Sequence, residues 1–498
     1  FWKVNCNHLF QIYNFLFSLV NKKDYAFMHN LFLNLINFDS MKKSFIMILA
    51  LSLSIISCSD DDNYENLPSL DERLYAGGET TVFLTSSNSF STPAANLFGI
   101  DFDQHLSGDA EFEQVFVTAP GDVNPGLGTI FNNSSCISCH PKDGRAPFPN
   151  DLLARSGFFF RVSLPGENAN GSPVAVPGFG TQIQNQAIFG IQSEGKFQVT
   201  FSQIIETLSD GIQVILQKPN YVLYDTYIPF PSNGLISPRL ATPVFGLGLL
   251  ESIPEMSILA NQDINDANND GISGKANYVY DAVSGTTKLG RFGWKANTAT
   301  ILEQCAGAYN GDMGITSYLF PIETGFGQTN GSDGFADDPE IDNQILNDVT
   351  FYCQTLGVPA PRNITNENVR RGAKLFEQLE CAKCHIPKMQ TGYSSIATLA
   401  NQTIYPYTDM LLHDMGEDLA DNRPDFLANG REWKTRPLWG IGLTQVVNGH
   451  TDFLHDGRAK NVTEAILWHG GEAQSSKTQF KQLTTKDRND LLSFINSL

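Results

Sequence analysis

The sequence predicts a mainly α-helical chain with extensive loops, organised as two domains. From about residue 96 to 360, short apolar runs are cut by Gly and Pro, which predicts loops between the helices. A five-residue motif with two cysteines occurs on each side of Pro359-Ala360-Pro361, a linker signal that puts a domain boundary at about residue 361. Helices are predicted at 200–216, 341–356, 366–380 and 480–497, and the last has helical spacing of apolar residues.

The N-terminal region predicts processing signals rather than fold. Residues 1–40 begin with Phe1 and precede a credible start at Met41, so we interpret them as translated upstream DNA. Residues 41–57 predict a lipoprotein signal peptide, with a charged start, an apolar segment and Ser57 before a lipidated Cys58. An ordinary signal peptide with an incidental cysteine is the alternative. The acidic residues after Cys58 resemble the export tag of surface lipoproteins.

This region also predicts location. The lipid on Cys58 would hold the protein on a membrane outside the cytoplasm, at the periplasmic face or the cell surface of the outer membrane. Residues 58–95 are rich in Ser, Thr and Asn and predict a tether from that membrane. The apolar run 46–57 is too short to be a permanent membrane span.

Composition and charge restrict the partners. The chain has 498 residues, of which 41% are hydrophobic and 17% charged, as in folded proteins. Its net charge of −20 has the wrong sign for binding nucleic acid through phosphates, which excludes that partner. Outside the cytoplasm, an acidic protein favours basic partners and small diffusible substrates.

Four of the eight cysteines form two identical motifs. Residues 136–140 read Cys-Ile-Ser-Cys-His and residues 381–385 read Cys-Ala-Lys-Cys-His. Cys-x-x-Cys-His is the attachment motif of c-type haem: the thiols add to the haem vinyl groups, and the histidine coordinates the iron. A zinc half-site would need a second cysteine pair close by, and a redox dithiol does not need the histidine. The motifs therefore predict two covalent haems, haem 1 on Cys136, Cys139 and His140, and haem 2 on Cys381, Cys384 and His385.

Two further features carry chemistry. Besides the motif cysteines, Cys58 and Cys6 of the upstream stretch, two cysteines remain, Cys305 and Cys353. An even number of remaining cysteines suggests one disulfide in an oxidising compartment, with two buried thiols as the alternative. Residues 266–274 follow the first half of a calcium loop, although Asn277 stands where a bidentate glutamate is needed. An Asx-rich turn is the alternative to calcium. The candidate calcium ligands are Asp266, Asn268, Asp270 and the carbonyl of Ile272.

From about residue 96 to the end, the chain resembles the bacterial di-haem oxidoreductases once labelled thiol oxidoreductases. The resemblance rests on the Gly-rich surroundings of the first motif and on segments 245–251, 290–295, 312–316 and 412–417. Segments 434–439, 454–458 and 468–469 are also similar to di-haem cytochrome c peroxidases and their MauG relatives.

This resemblance implies two cytochrome c-like haem domains, an N-terminal one with insertions at 96–360 and a C-terminal one at 361–498. It implies an oxidoreductase of the peroxidase kind, with electron entry at haem 2 and chemistry on peroxide or a related oxidant at haem 1. The electron donor would be a small redox protein, either a cytochrome or cupredoxin-like. The alternatives are an electron-transfer lipoprotein without enzymatic activity and an oxidase of a partner protein or thiol.

The histidines predict different roles for the haems. No histidine lies between His140 and His385, so haem 1 has no distal histidine downstream in its own domain and is expected to be the reactive one. Met313, His105 or a residue of the other domain could still coordinate the sixth position of the haem 1 iron. For haem 2, the register of the related peroxidases points to His469, fourteen residues after His455. Met410 and Met415 are its rivals, and a helix-terminal role for His469 is the other alternative.

The resemblance also suggests catalytic residues. Gln186-Ala187 followed by Glu194 looks like the Gln-Ala…Glu segment that lies over the reactive haem in the peroxidases, although the interval here is two residues shorter. Glu194 would move a proton between the peroxide oxygens, and a surface Glu is the alternative. His413-Asp414 and His455-Asp456 are further candidates. Trp294, Trp433, Trp439 and Trp468 could relay electrons or simply pack in the core.

Overall fold

The computed structural model describes residues 67–331 and 338–498. The predicted upstream stretch 1–40, the signal peptide 41–57 and the lipidated Cys58 lie outside the described residues. No helix in the described part of the chain is long and apolar enough to cross a bilayer. The α-helices are α1 Ile100–Glu113, α2 Cys136–Cys139, α3 Leu247–Glu251, α4 Glu255–Leu259, α5 Ile301–Met313, α6 Asn343–Thr355, α7 Glu367–Gln378, α8 Thr444–Asn448, α9 Val462–Trp468, α10 Gln474–Gln482 and α11 Thr485–Ile495.

The strands form one four-stranded sheet and several two-stranded sheets. The strands are β1 Ile130–Phe131, β2 Phe158–Glu167, β3 Pro173–Val174, β4 Gln182–Ile183, β5 Gln186–Ala187, β6 Lys196–Thr207, β7 Gln213–Tyr224, β8 Leu235–Leu240, β9 Tyr278–Asp281, β10 Thr286–Leu289, β11 Met389–Gln390, β12 Thr403–Ile404, β13 Leu412–Asp414 and β14 Glu432–Lys434. In the larger sheet β2 pairs with β3, β4 and β8. The remaining pairs are β1 with β5, β6 with β7, β9 with β10, β11 with β12 and β13 with β14, and all pairs are antiparallel.

The mainly α-helical fold class is wrong, because only 28% of the described residues are helical and 19% are in strands. The helix predicted at 200–216 is instead part of the long β6–β7 hairpin. Apolar residues at Ile204, Leu208 and Leu216 mimic helical spacing, but the chain reverses at Asp210-Gly211. Gly211 has a φ of 82°, which favours glycine, and Asp-Gly is a strong hairpin signal.

The structure also bears on the expected tether and on the expected division into two domains. Residues 67–95, expected to form a tether, pack against the body: Leu70 and Phe90 are buried, and Val82 and Pro93 form bridges with Pro359 and Leu356. Contacts group 67–498 into one compact unit, and two haem domains are not shown. The boundary at residue 361 stays a prediction. The helices at 341–356, 366–380 and 480–497 are present as α6, α7 and α10–α11.

Two helix pairs pack closely at a glycine. Helix α1 packs on α6 and helix α7 packs on α11, and each crossing has a glycine at its closest point. A Cβ atom on Gly108 would lie 2.0 Å from the Asp348 carbonyl oxygen, and one on Gly372 would lie 2.0 Å from that of Asp490. No side chain fits at either position, so the glycines permit both crossings.

Candidate haem-binding sites

The first Cys-x-x-Cys-His motif begins on the short helix α2. The Ser135 hydroxyl caps this helix by accepting the N–H of Ser138 at 3.3 Å. His140 follows the helix, and its Nδ1 lies 2.7 Å from the carbonyl oxygen of Thr242. Nδ1 must carry the proton to donate to a carbonyl, so the lone pair is on Nε2. His140 is therefore held in the tautomer that ligates iron.

The second motif has the same arrangement on a different backbone. Cys381–Lys383 form a 3₁₀ turn, entered through Glu380 at a φ of 65°. The Nδ1 of His385 lies 2.9 Å from the carbonyl oxygen of Tyr407, which again leaves Nε2 free to bind a metal. Burial lowers the pKa of His385 to about 4, so its ring is neutral, as ligation requires.

Each histidine lies beside one of the two helix crossings. The ring of Phe112, one turn after Gly108 on α1, is 6.2 Å from the His140 ring. The ring of Phe376, one turn after Gly372 on α7, is 6.3 Å from the His385 ring. The two motifs thus share a packing environment as well as a sequence, which is what two similar cofactor sites require.

Each motif also lines its own cavity, large enough for a macrocycle. The first cavity has about 1310 Å³ of empty space, part of it open to solvent, and Cys136, Cys139 and His140 line it. The second has about 1830 Å³, also partly open, and Cys381, Cys384 and His385 line it. Most other lining side chains are apolar, as expected for a large apolar ring. Both sites therefore fit haem.

Among the candidate ligands of haem 2, His469 has a suitable tautomer. It lines the second cavity, and its Nδ1 is 2.6 Å from the carbonyl oxygen of Ala465, which leaves Nε2 unprotonated. Burial is the main cause of the low pKa of His385, and electrostatic repulsion from His469 lowers it further, so the two rings are neighbours. Met415 also lines this cavity, whereas Met410 packs in the hydrophobic core away from it.

His413 has both ring nitrogens occupied by carboxylates. Its Nε2 is 2.7 Å from Asp409 Oδ2 and its Nδ1 is 2.6 Å from Glu472 Oε2. Burial alone would lower the pKa of His413, but the bonds to Asp409, Cys384 and Glu472 raise it well above its usual value. Both ring nitrogens of His413 are therefore engaged by carboxylates, and neither is free to bind iron.

The first cavity offers a methionine and a tyrosine. Met313 and Tyr309, both on α5, are buried and line it. The Tyr309 hydroxyl has no hydrogen-bond partner among the described residues. His105 does not line this cavity, and its Nδ1 contacts the Thr355 hydroxyl at 2.8 Å.

The predicted catalytic pair lies outside the wall of the first cavity. Glu194 is buried and accepts the Gln184 N–H at 2.5 Å and the Gln328 side-chain amide at 2.9 Å. Burial raises its pKa to about 8. Gln186, on β5, donates to the Leu153 carbonyl at 2.9 Å. The structure does not bring either residue to the cavity, and their catalytic role stays a prediction.

Asp312 is a candidate site residue that the sequence motifs alone did not indicate. Asp312 lines the first cavity, and its Oδ1 accepts the Gln182 amide at 2.7 Å. Burial raises the pKa of this carboxyl, although Arg161 and Gln182 oppose the shift. Its signal was present in segment 312–316, which carried part of the family resemblance.

Cys305 on α5 and Cys353 on α6 face each other in the wall of the first cavity. Both are buried free thiols. The interaction with Cys305, followed by burial, raises the pKa of Cys353 well above its usual value, so the two side chains are neighbours. The disulfide between them stays a prediction.

The candidate calcium loop is an exposed turn beside the second motif. The Asp266 carboxylate accepts the N–H groups of Asp270 and Gly271, and Asp270 lies 3.2 Å from the Lys383 ammonium group. Ile272 lines the second cavity, whereas Asn277 is buried and bonds to Lys295 and Asp425 carbonyls outside the loop. Calcium binding at Asp266, Asn268, Asp270 and Ile272 stays a prediction.

One tryptophan lies between the two cavities. Trp294 lines both and donates its indole N–H to the Leu240 carbonyl at 2.8 Å. Trp433 and Trp439 line the second cavity only, and Trp433 stacks on His455 at 3.9 Å between ring centroids. Trp468 is fully buried and lines neither cavity.

Comparison with known proteins gives one clear match. The family model described as "Di-haem oxidoreductase, putative peroxidase" matches residues 72–498. No curated protein matches the chain. Among solved structures, a xenon-pressurised hydrazine synthase of Kuenenia stuttgartiensis has 18% identity and a TM-score of 0.22. The match covers 39% of this chain and 61% of that one, and this likeness carries no argument about fold or function.

Proposed function

The chain belongs to the di-haem oxidoreductase family, and from this membership we propose that it is a peroxidase-like enzyme with two covalent haems. The observation that carries the proposal is the repeated histidine geometry. His140 and His385 each follow a Cys-x-x-Cys pair, donate Nδ1–H to a distant backbone carbonyl and line a cavity of their own. When bound, haem 2 would accept electrons from a donor, and haem 1 would pass them to peroxide or a related oxidant.

The protein's own residues support this division of roles. His469 offers a second imidazole in the cavity of His385, which suits a closed, electron-transferring iron. The first cavity has no histidine besides His140 among its described lining residues. Its Asp312 carboxyl has a raised pKa because it is buried, so this group can hold and release a proton beside a reacting oxidant.

A second candidate function follows from Met313. This methionine is buried and lines the cavity of His140, so its thioether could close the sixth position of haem 1. With both irons closed, the protein would only transfer electrons. The acidic chain would then exchange electrons with a small redox protein, either a cytochrome or cupredoxin-like, as in the enzyme proposal.

The place of action remains a proposal from the sequence. A lipid on Cys58 would hold the enzyme on the periplasmic face or the cell surface of the outer membrane, where covalent haem attachment and a small oxidant are both available. Radiolabelled palmitate incorporation that is lost in Cys58→Ala would support it, and incorporation that persists in that variant would contradict it.

The experiment that tests the function combines haem counting, spectroscopy and turnover. Purified protein should give two haems per chain in the pyridine haemochrome assay and a high-spin ferric EPR signal in the as-purified or half-reduced state. Peroxide should then be consumed with a reduced cytochrome as donor. Low-spin haem in every redox state, without turnover, would replace the enzyme by the electron-transfer protein.

A further inference from the structure

Three cationic side chains meet in the wall that separates the two cavities. Arg436 lines both cavities, and Arg145 and Lys434 line the second. Arg145 and Lys434 are buried, and Arg436 is partly buried. The guanidinium carbons of Arg145 and Arg436 lie 5.5 and 5.2 Å from the ring centroid of Trp294, so the two cations share one indole.

No ion pair among the described residues joins a carboxylate to these three cations, although Asp452, which pairs with Lys460, also attracts Arg145. Arg145 donates to the Leu454 carbonyl at 3.2 Å, and Lys434 donates to the Arg291 carbonyl at 2.6 Å. Burial lowers the pKa of Arg145 to about 10 and, with Arg145 nearby, that of Arg436 to about 9. Buried charges of like sign are costly unless an anion compensates them.

Several other buried cations of the same region are paired with carboxylates. Lys295 lies 2.8 Å from Asp421, and Arg239 lies 3.2 Å from the same carboxylate. Arg458 binds Asp456 at 2.8 Å. Arg239 also lines the first cavity, so lining a cavity does not by itself leave a cation unpaired. What sets Arg145, Lys434 and Arg436 apart is that three cations without an ion pair in the described part of the chain lie together.

We propose that Arg145, Lys434 and Arg436 form a propionate-binding cluster in this wall, with Arg436 shared between the two haems. The proposal rests on the proposed function, since it requires both haems. Each haem carries two propionate carboxylates, and a guanidinium group binds a carboxylate through parallel N–H donors. Trp294 fixes the two arginines from one side, so the cluster would set the relative positions of both haem edges.

Substitution of Arg436 tests the shared contact. Loss of its positive charge leaves propionate charge uncompensated beside both haems, which favours ferric iron, so in Arg436→Gln both midpoint potentials should fall. The propionate bending bands in resonance Raman spectra should shift at both haems. Arg431→Gln is the matched control: Arg431 has the same charge, lines neither cavity and pairs with Asp414 and Glu417, and its variant should match the wild type.

The outcomes separate this proposal from the proposed function. Wild-type protein without two haems in the pyridine haemochrome assay would sink the function itself. With two haems present, unchanged propionate bands at either haem in Arg436→Gln would overturn the shared cluster, even if the potentials moved through space. If Arg436→Gln does not accumulate, Arg436→Lys keeps the charge but loses the paired donors. Shifted bands at both haems support the cluster, and unchanged bands at either one overturn it.

Discussion

His469 ends helix α9 with its Nδ1 only 2.6 Å from the Ala465 carbonyl oxygen, one turn earlier. The carbonyls of Thr242 and Tyr407 hold His140 and His385 in the same way. In all three residues the bond places the proton on Nδ1 and leaves Nε2 able to bind iron. His469 shares the second cavity with His385, so the pair has the chemistry of two axial ligands.

We therefore predict that His469 is the distal ligand of haem 2. His469→Ala should make this haem high-spin and leave haem 1 unchanged, as measured by EPR and absorption spectra. Two imidazoles should also give haem 2 a lower midpoint potential than a histidine–methionine pair would, because imidazole is the stronger donor. A thioether charge-transfer band in the wild type that disappears in Met415→Ala would assign the ligand to Met415, the rival that lines the cavity.

Covalent attachment gives a second prediction. Replacing Cys136 and Cys139 by Ala should leave one covalent haem per chain, because each motif serves its own cavity. Replacing Cys381 and Cys384 should do the same for the other haem. The pyridine haemochrome assay measures both, with the Cys305→Ser, Cys353→Ser double variant as the control that keeps two. Two haems remaining in either motif variant would refute the assignment.

The sequence predicts the haem-attachment residues, but not the groups that hold them in position. The cysteines, histidines and the His469 register are local patterns, whereas the carbonyls of Thr242 and Tyr407 become neighbours of His140 and His385 only on folding. Arg436 likewise reads as an ordinary surface arginine until it lines two cavities. Tertiary contacts of this kind leave no short-range signal.

One missed signal of the fold was in the sequence. Glycine followed four residues later by phenylalanine occurs at Gly108 and again at Gly372, on the helix beside each motif. The pattern marks both close helix crossings. The β6–β7 hairpin is hard to predict for a different reason: apolar residues four apart also fit a helix, and only the Asp-Gly turn between the strands indicates a hairpin.

Proton transfer at the first cavity gives a third prediction. From the sequence, Glu194→Gln should lower peroxide turnover by roughly 10²-fold, the usual scale for losing an acid/base group. In the structure Glu194 accepts the backbone N–H of Gln184, and the side-chain amide of Gln184 donates to the carbonyl of Gly311. Glu194 is thus linked only indirectly to Asp312, which lines the cavity itself. We therefore expect the large loss in Asp312→Asn and a smaller one in Glu194→Gln, with haem 2 spectra unchanged. The reverse order in steady-state assays would return the role to Glu194.

Glu194 also predicts a pH dependence of stability. Burial raises its pKa from 4.5 to about 8, so between these values the folded protein keeps a proton that the unfolded chain releases. Stability contributed by this group therefore falls as pH rises from 4.5 to 8. The Oε1 atom of Gln328 has no hydrogen-bond partner among the described residues. A flipped Gln328 amide could therefore accept a hydrogen bond from the protonated Glu194 carboxyl, or from the side-chain amide that Glu194→Gln introduces.

Melting temperatures of Glu194→Gln and wild type measure this effect. The variant's advantage should grow from pH 4.5 to 8 and level off above that, because Gln keeps the bonds without ionising. Glu417→Gln, at an exposed glutamate, is the control and should show no such trend. A constant difference between Glu194→Gln and wild type across this range would contradict the raised pKa.

The last prediction concerns the thiols of Cys305 and Cys353. They are buried neighbours on α5 and α6, and the thioether bonds would consume the four motif cysteines. In protein matured in an oxidising compartment, we expect them to form a disulfide. Alkylation of denatured holoprotein should then modify neither residue without reductant and both after reduction, as read by peptide mass spectrometry. Closing a loop of this length should stabilise the folded state by roughly 4 kcal/mol, so reductant should lower the melting temperature of wild type but not of Cys305→Ser. Alkylation of both thiols before reduction would instead establish the alternative of two buried thiols.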